Sequence, residues 1–162
     1  MTGFLPDLLA RWLPHEPASP SLEQVVDLVD EVLAGLGIDG QREDSDDGAD
    51  WSLQVGSATL ELGLHHNVIL DEDTLEVRSP ILRLPERNLL AFYRRCLELN
   101  RIVVGCCFGV DEDVVVVATE RTLPGLGKPE VARMLLDVAS VADQFDDELA
   151  REFGAEQLGQ AP

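Results

Sequence analysis

Two adjacent histidines, His65 and His66, are the side chains of this sequence that most suggest a metal site. Such a site needs several ligands that converge on one point. Neighbouring residues on a strand point to opposite faces of the sheet, and no cysteine or further histidine lies close to the pair in the sequence. We therefore expect a surface or half-buried strand pair here, and the sequence predicts no metal.

Residues 71–73 and 111–113 both read Asp-Glu-Asp, which resembles the start of a calcium-binding loop. Both segments lack the third acidic position, the central glycine and the closing glutamate that such a loop requires. They are better explained as hairpin turns. The sequence predicts no calcium site and no cofactor.

The three cysteines, Cys96, Cys106 and Cys107, do not form a redox motif, because they are odd in number and lack Cys-x-x-Cys spacing. We expect reduced, mostly buried thiols. No serine stands in a Gly-x-Ser-x-Gly motif, and residues 125–128 lack the frame of a phosphate-binding loop. No catalytic residue is identified, and the chain is not expected to be an enzyme.

Charge is the most informative feature of the composition, since 31 acidic and 12 basic residues give a net charge of −19. Such a chain repels nucleic acids and anionic membranes. It would attract a basic protein partner, although solubility alone also explains the charge. No run approaches the roughly 20 apolar residues of a membrane span, and the first residues lack the features of a signal peptide. We expect a cytoplasmic protein.

The apolar spacing predicts an α+β fold for the 162 residues, of which 45% are hydrophobic and 5% aromatic. A capping box at residues 21–24 begins a first helix, which Gly37 ends. Residues 39–50 are expected to be an acidic loop. Apolar runs at 51–55, 60–64, 68–70 and 75–84 predict an antiparallel meander, with Pro80 at an edge or a strand end.

A second helix is predicted from Pro85 to about Asn100, followed by strands at 102–110 and 114–119. Pro129 begins a third helix, and the chain after Phe153 is expected to fray. The order is helix, three strands, helix, two strands, helix, which indicates a sheet of about five strands with helices on one face.

Residues 75–126 resemble the YbjN family, whose fold is that of the type III secretion chaperones. The resemblance is carried by a strand ending in Ser79-Pro80, a Leu-Pro before the helix, a helix ending in Leu99-Asn100, and a hairpin with an Asp turn. It implies a small acidic homodimer that holds partner proteins in a non-native or extended form. It also implies a role in stress or sensory regulation, and it brings no catalytic residues. Three regions follow: a helical extension and proline-rich linker at 1–20, one domain at 21–153, and a tail at 154–162.

The second helix is expected to form a dimer or partner surface. Its apolar side chains span roughly 180° of the helix, whereas one buried face needs roughly 100°. The alternative is a helix covered by a neighbouring helix. Half of the basic residues also fall at 78–101, on solvated surface or at a partner contact. The candidate residues are Arg87, Leu89, Phe92, Tyr93, Arg94, Arg95, Cys96 and Leu99.

The N-terminal segment predicts a short amphipathic helix that is tethered by three prolines. A helix this short is marginal in water unless it docks. We expect docking in a client groove, on the other subunit, or on its own domain. The candidate residues are Phe4, Leu5, Leu8, Leu9 and Trp12.

The leading functional hypothesis is a chaperone-like or adaptor module that binds a basic protein. A ligand-sensing regulatory domain is the second hypothesis. A long apolar groove on a dimer would favour the first, and a polar pocket with converging ionisable groups would favour the second.

Overall fold

A computed structural model of the chain describes residues 19–45 and 48–158. Three helices and six strands follow one another in these residues. In chain order they are α1 (Leu22–Leu36), β1 (Gly40–Ser45), β2 (Gly48–Val55), β3 (Ala58–Asn67), β4 (Glu72–Arg83), α2 (Leu89–Leu99), β5 (Cys107–Asp111), β6 (Val114–Thr122) and α3 (Lys128–Phe153). The N-terminal extension and its predicted helix lie outside the described residues.

The six strands form one antiparallel sheet in the order β1-β2-β3-β4-β6-β5. The α+β class and the helix order are confirmed, and the expected strand number of about five is corrected to six. Strands β1 to β4 form a meander. The chain then passes through α2 and returns with β6 beside β4, which leaves β5 at the far edge.

Helix α1 begins and ends where the sequence predicts. The Ser21 side chain accepts a hydrogen bond from the Gln24 backbone, and the Gln24 side chain accepts one from the Ser21 backbone. Gly37 ends the helix with a φ of 68°, in the left-handed region that glycine adopts at little cost. Val25, Val29 and Val32 of α1 are buried in the core, where the helix contacts α3, and Asp30 of α1 accepts a hydrogen bond from Trp51 of β2.

Alternation along the strands gives the sheet one apolar face, which α1 and α3 cover. The side chains of Trp51, Leu60, Leu62, Val77 and Val117 are at most 3% exposed on this face. Helix α3 packs on β3, β4, β6 and α1, and nearly every turn of it buries at least one apolar side chain. The core is therefore one aliphatic layer between the sheet and the helices.

The expectation of a loop at residues 39–50 is wrong, since this segment contains β1 and the first residues of β2. All six side chains of β1 are exposed, so the strand has no apolar pattern to recognise. Its backbone pairs with β2, and its Arg42 forms ion pairs with Asp30 of α1 and with Asp44. A charged, polar edge strand resists pairing with other chains.

Residues 68–70 are a turn between β3 and β4, not a strand. Pro80 lies inside β4, at a place that tolerates proline: pairing with β3 ends at Arg78, and the register with β6 shifts between Pro80 and Leu82.

Helix α2 begins at Leu89 and not at Pro85. Strand β5 begins at Cys107, so residues 102–106 are an irregular connection.

The expectation of a frayed tail does not hold for residues 154–158. Gly154 ends α3 with a φ of 64°, and the chain turns back along β4. The backbone N–H of Arg83 donates to the Glu156 carbonyl at 2.9 Å, and that of Leu158 donates to the Ile81 carbonyl at 2.8 Å. The tail therefore occupies the edge of β4 that β3 leaves unpaired.

Gly48→Ala is expected to destabilise the protein, because a Cβ at this position would overlap the carbonyl oxygen of Leu64 on β3. We expect a loss of about 1–3 kcal/mol in the free energy of unfolding. The matched control is Gly35→Ala in α1, where nothing lies within 4 Å of the added Cβ and a gain of about 0.5–1 kcal/mol is expected. Urea unfolding followed by circular dichroism measures both. Equal effects of the two substitutions would contradict this β2–β3 packing.

Candidate protein-binding surface

The two histidines lie beside carboxylates at the end of β3. His65 Nε2 is 3.6 Å from Glu120 Oε1, and His66 Nδ1 is 3.0 Å from Asp73 Oδ1. The hydrogen bond to Asp73 is the largest cause that raises the pKa of His66 above its ordinary value. Residues 19–45 and 48–158 contain no group of three or more His, Cys, Asp or Glu side chains that could hold a metal ion.

The three cysteines are free thiols in different environments. Cys96 is buried and Cys106 is half-buried, and burial raises the pKa of each thiol to about 11. Cys107, at the first position of the edge strand β5, is exposed. The expectation of mostly buried thiols is therefore wrong for Cys107, because it lies on the face of the sheet opposite the buried Phe108, where no described helix packs.

The residues predicted on α2 separate into a buried and an outer set. Phe92 and Leu99 are 0% exposed and Cys96 is 8% exposed. Phe92 packs edge-to-face on Phe153 at the end of α3, with ring centroids 5.1 Å apart. These three residues belong to the core, so their placement on a partner surface is corrected.

The outer set of α2 is apolar and largely exposed. Leu90 and Leu97, one i,i+7 step apart, are 84% and 67% exposed. Leu89 and Tyr93 lie between this row and the core and are 40% and 39% exposed. The wide apolar arc of the helix thus combines a buried stripe with a second stripe in water.

Two further apolar side chains follow the helix directly: Ile102 and Val104 are 68% and 77% exposed. Asn100 holds this connection in place, since its amide accepts from the Phe108 N–H at 2.7 Å and donates to the Phe108 carbonyl at 3.2 Å. We call the six residues the α2 surface: Leu89, Leu90, Tyr93, Leu97, Ile102 and Val104. The sequence did not predict Ile102 and Val104 as surface residues, because the apolar run at 102–110 predicted a strand.

The arginines near α2 are mostly paired with carboxylates. Arg94 bonds to Glu98 at 2.8 Å, and Arg95 bonds to Glu148 of α3 at 2.6 Å. Arg78 and Arg83 also form ion pairs with acidic residues. Within residues 19–45 and 48–158, Arg87 and Arg101, like Arg151 of α3, have no ion pair within 4 Å. The predicted basic region therefore carries little free positive charge, and exposed pairs of this kind contribute about 0–1 kcal/mol each.

The open face of the sheet, opposite the helices, holds an acidic groove. A cavity of about 530 Å³ is lined by Glu43, Asp50, Glu61 and Glu76, together with His65 and Arg78. Arg78 Nε lies 2.8 Å from Glu61 Oε2. The groove has an excess of carboxylates. The alternation of Glu61 and Glu76 with buried leucines and valines is the sequence signal that could have revealed it.

Residues 26–151 match the sequence model of a family described as "YbjN: Putative bacterial sensory transduction regulator". The match covers most of the chain. The protein belongs to the YbjN family. A search of curated protein sequences finds no match.

The YbjN chain has a type III secretion chaperone-like fold. It is similar to a chain of the ExsC–ExsE complex, with a TM-score of 0.61 and 16% identity over 79% of this chain and 95% of that chain. It is also similar to a chain of the HopA1–SchA chaperone–effector complex, with a TM-score of 0.53 and 15% identity over 76% of this chain and 93% of that chain. At these identities the likeness concerns the fold. No helix within the described parts of the chain is long and apolar enough to cross a membrane.

A colorimetric thiol reagent at pH 8 is expected to modify one cysteine per folded chain rapidly, and that cysteine is Cys107. Thiols with a pKa of about 11, as in Cys96 and Cys106, are about one part in a thousand thiolate at this pH. Cys107→Ser should remove the fast phase, whereas Cys106→Ser should retain it. A fast phase that survives Cys107→Ser would show that the exposed thiol has been misassigned.

Proposed function

We propose that this YbjN protein is a non-enzymatic binding module, chaperone-like or adaptor, that acts in the cytoplasm as a homodimer on a basic protein partner. The observation that carries the proposal is the α2 surface. Six apolar side chains in one short stretch are between 39% and 84% exposed. Such a surface is expected to be covered by protein.

The homodimer is supported by the position and the shape of the α2 surface. Leu89, Leu90, Tyr93 and Leu97 occupy one continuous arc of the helix, and Asn100 fixes the connection that adds Ile102 and Val104. In a two-fold dimer the same patch of each copy is buried against the other. Ion pairing of Arg94 and Arg95 within their own chain limits the repulsion that two such faces would meet.

A basic partner is supported by the acidic groove on the open face of the sheet. Its four carboxylates stand on β1, β2, β3 and β4, so the negative charge extends across the strands. Complementary charge speeds encounter and selects partners. The similar chains of known structure come from complexes of two different proteins. Recognition of a protein is therefore a reasonable use of this fold.

A ligand-sensing domain is the second candidate, and the same groove favours it. The cavity of about 530 Å³ joins His65, Arg78 and carboxylates in one concave space, and its volume suits a small molecule. The family is described as a sensory transduction regulator. A small ligand would bind at the groove without any need for the α2 surface, and this separates the two candidates.

The proposed dimer predicts a mass near twice 17.7 kDa by light scattering at micromolar concentrations. Leu90→Ser with Leu97→Ser should shift the protein to the monomer mass, because the substitutions remove two apolar side chains from the proposed contact. Val68→Ser with Ile69→Ser is the matched control, since these exposed aliphatic residues precede β4, and α2 follows the opposite end of that 12-residue strand. A mass near 17.7 kDa for the unsubstituted protein at every concentration would contradict the dimer.

The N-terminal segment is proposed to dock as an amphipathic helix, either in the groove where a client protein would bind or on the other subunit. Its candidate contact residues are Phe4, Leu5, Leu8, Leu9 and Trp12. Deletion of residues 1–17 distinguishes the two. Tighter partner binding with an intact dimer indicates a displaceable plug, and loss of the dimer indicates a clasp between subunits. If neither changes while the melting temperature falls, the segment packs on its own domain and both docking proposals are wrong.

A further inference from the structure

The turn between β3 and β4 exposes three consecutive aliphatic side chains. Val68, Ile69 and Leu70 are 85%, 89% and 55% exposed. We call residues 68–70 the hairpin tip. A single exposed aliphatic residue is ordinary, but three in succession at the end of a hairpin form a projecting apolar feature.

The hairpin tip is held rigidly by Asn67. The Asn67 Oδ1 accepts from the backbone N–H groups of Ile69 at 3.0 Å and Leu70 at 3.1 Å, and the Asn67 carbonyl accepts from the Asp71 N–H at 2.8 Å. The Asn67 amide in turn donates to Glu120 of β6 at 2.9 Å. A surface fixed in advance loses little conformational entropy on binding.

Carboxylates surround the base of the hairpin tip. Asp71, Glu72 and Asp73 follow it directly in the chain, and Glu120 contacts it through Asn67. The Asp71 side chain is 97% exposed. These four carboxylates form an acidic collar, and His66 sits within it, 3.4 Å from Asp71 and 3.0 Å from Asp73. The tip is therefore apolar at its end and negative around its base.

We propose that the hairpin tip is a preformed knob that inserts into an apolar cleft on a partner protein whose rim carries lysine or arginine. The negative charge of the four carboxylates around the tip favours a basic partner protein over other binding partners. An anionic bilayer would repel four carboxylates beside the inserted side chains. A second copy of this chain that docked through its own tip would bring a second set of these carboxylates against the first. The inference rests on the proposed function insofar as the partner is a basic protein, but it assigns the contact to a different surface.

The test begins with photo-crosslinking in cells of origin, with a photoreactive amino acid in place of Ile69 and, as a matched control, in place of Glu112. Glu112 is an exposed position on another tight turn, between β5 and β6. A protein captured from position 69 and not from position 112 is then identified and purified. Its affinity for the full chain is measured by calorimetry at low and at moderate salt.

We expect Val68→Ser with Ile69→Ser and Leu70→Ser to weaken this affinity tenfold or more. Asp71→Asn with Asp73→Asn should weaken it several-fold at low salt and hardly at all at moderate salt. Leu36→Ser with Leu136→Ser, two exposed leucines outside both the hairpin tip and the α2 surface, should leave this affinity unchanged. The light-scattering mass of the tip variant should equal that of the unsubstituted chain, which separates a failure of the knob from a failure of the proposed dimer.

Several results would overturn the proposal. One is the absence of a captured protein at position 69 beyond that at 112, and another is an affinity that the tip variant does not change. Tip-dependent sedimentation with phosphatidylcholine vesicles, or with vesicles containing a quarter phosphatidylglycerol, would assign the tip to a membrane. Capture of a second copy of the chain, with a mass that the tip variant halves, would assign it to self-association.

Discussion

Burial of one face of the sheet beneath α3 is the interaction on which the other features depend. Eight side chains of this helix are buried, and they pack on β3, β4, β6 and α1. Each buried Val, Leu, Met or Phe side chain contributes about 1.5–3 kcal/mol, so this contact fixes the position of the helix. Helices α3 and α1 both lie on one face of the sheet. The opposite face is open, and its carboxylates face solvent.

The same contact leaves α2 at the margin of the core. Helix α2 lies against the edge strand β5 and the last turns of α3, through Phe92 on Phe153 and Arg95 on Glu148. It therefore buries only one stripe, and Leu90 and Leu97 remain in water. The proposed dimer is a consequence of this geometry: a helix that is apolar over half its circumference packs on β5 and α3 along one stripe and leaves the other stripe for a second chain.

Local signals allowed much of the fold to be predicted. The Ser21 capping box, Gly37 and the periodicity of α3 depend on residues a few positions apart, and each is found where predicted. Strand β1 was not predictable from apolar alternation, because its pairing uses backbone groups and its side chains are exposed. Val68, Ile69 and Leu70 read as a strand, but the side chain of Asn67 closes a turn. The sequence revealed the width of the apolar arc of α2. Which half of that arc is buried depended on the placement of β5 and of Phe153, and Phe153 is distant in sequence.

Hydrogen–deuterium exchange at low and high protein concentration tests the central claim most directly. If the α2 surface is a dimer contact, peptides spanning residues 89–106 should become more protected as concentration rises. Peptides spanning the hairpin tip should show no change over the same range. Protection of residues 89–106 that is independent of concentration, in a protein whose mass shows that it associates, would contradict the assignment of this surface.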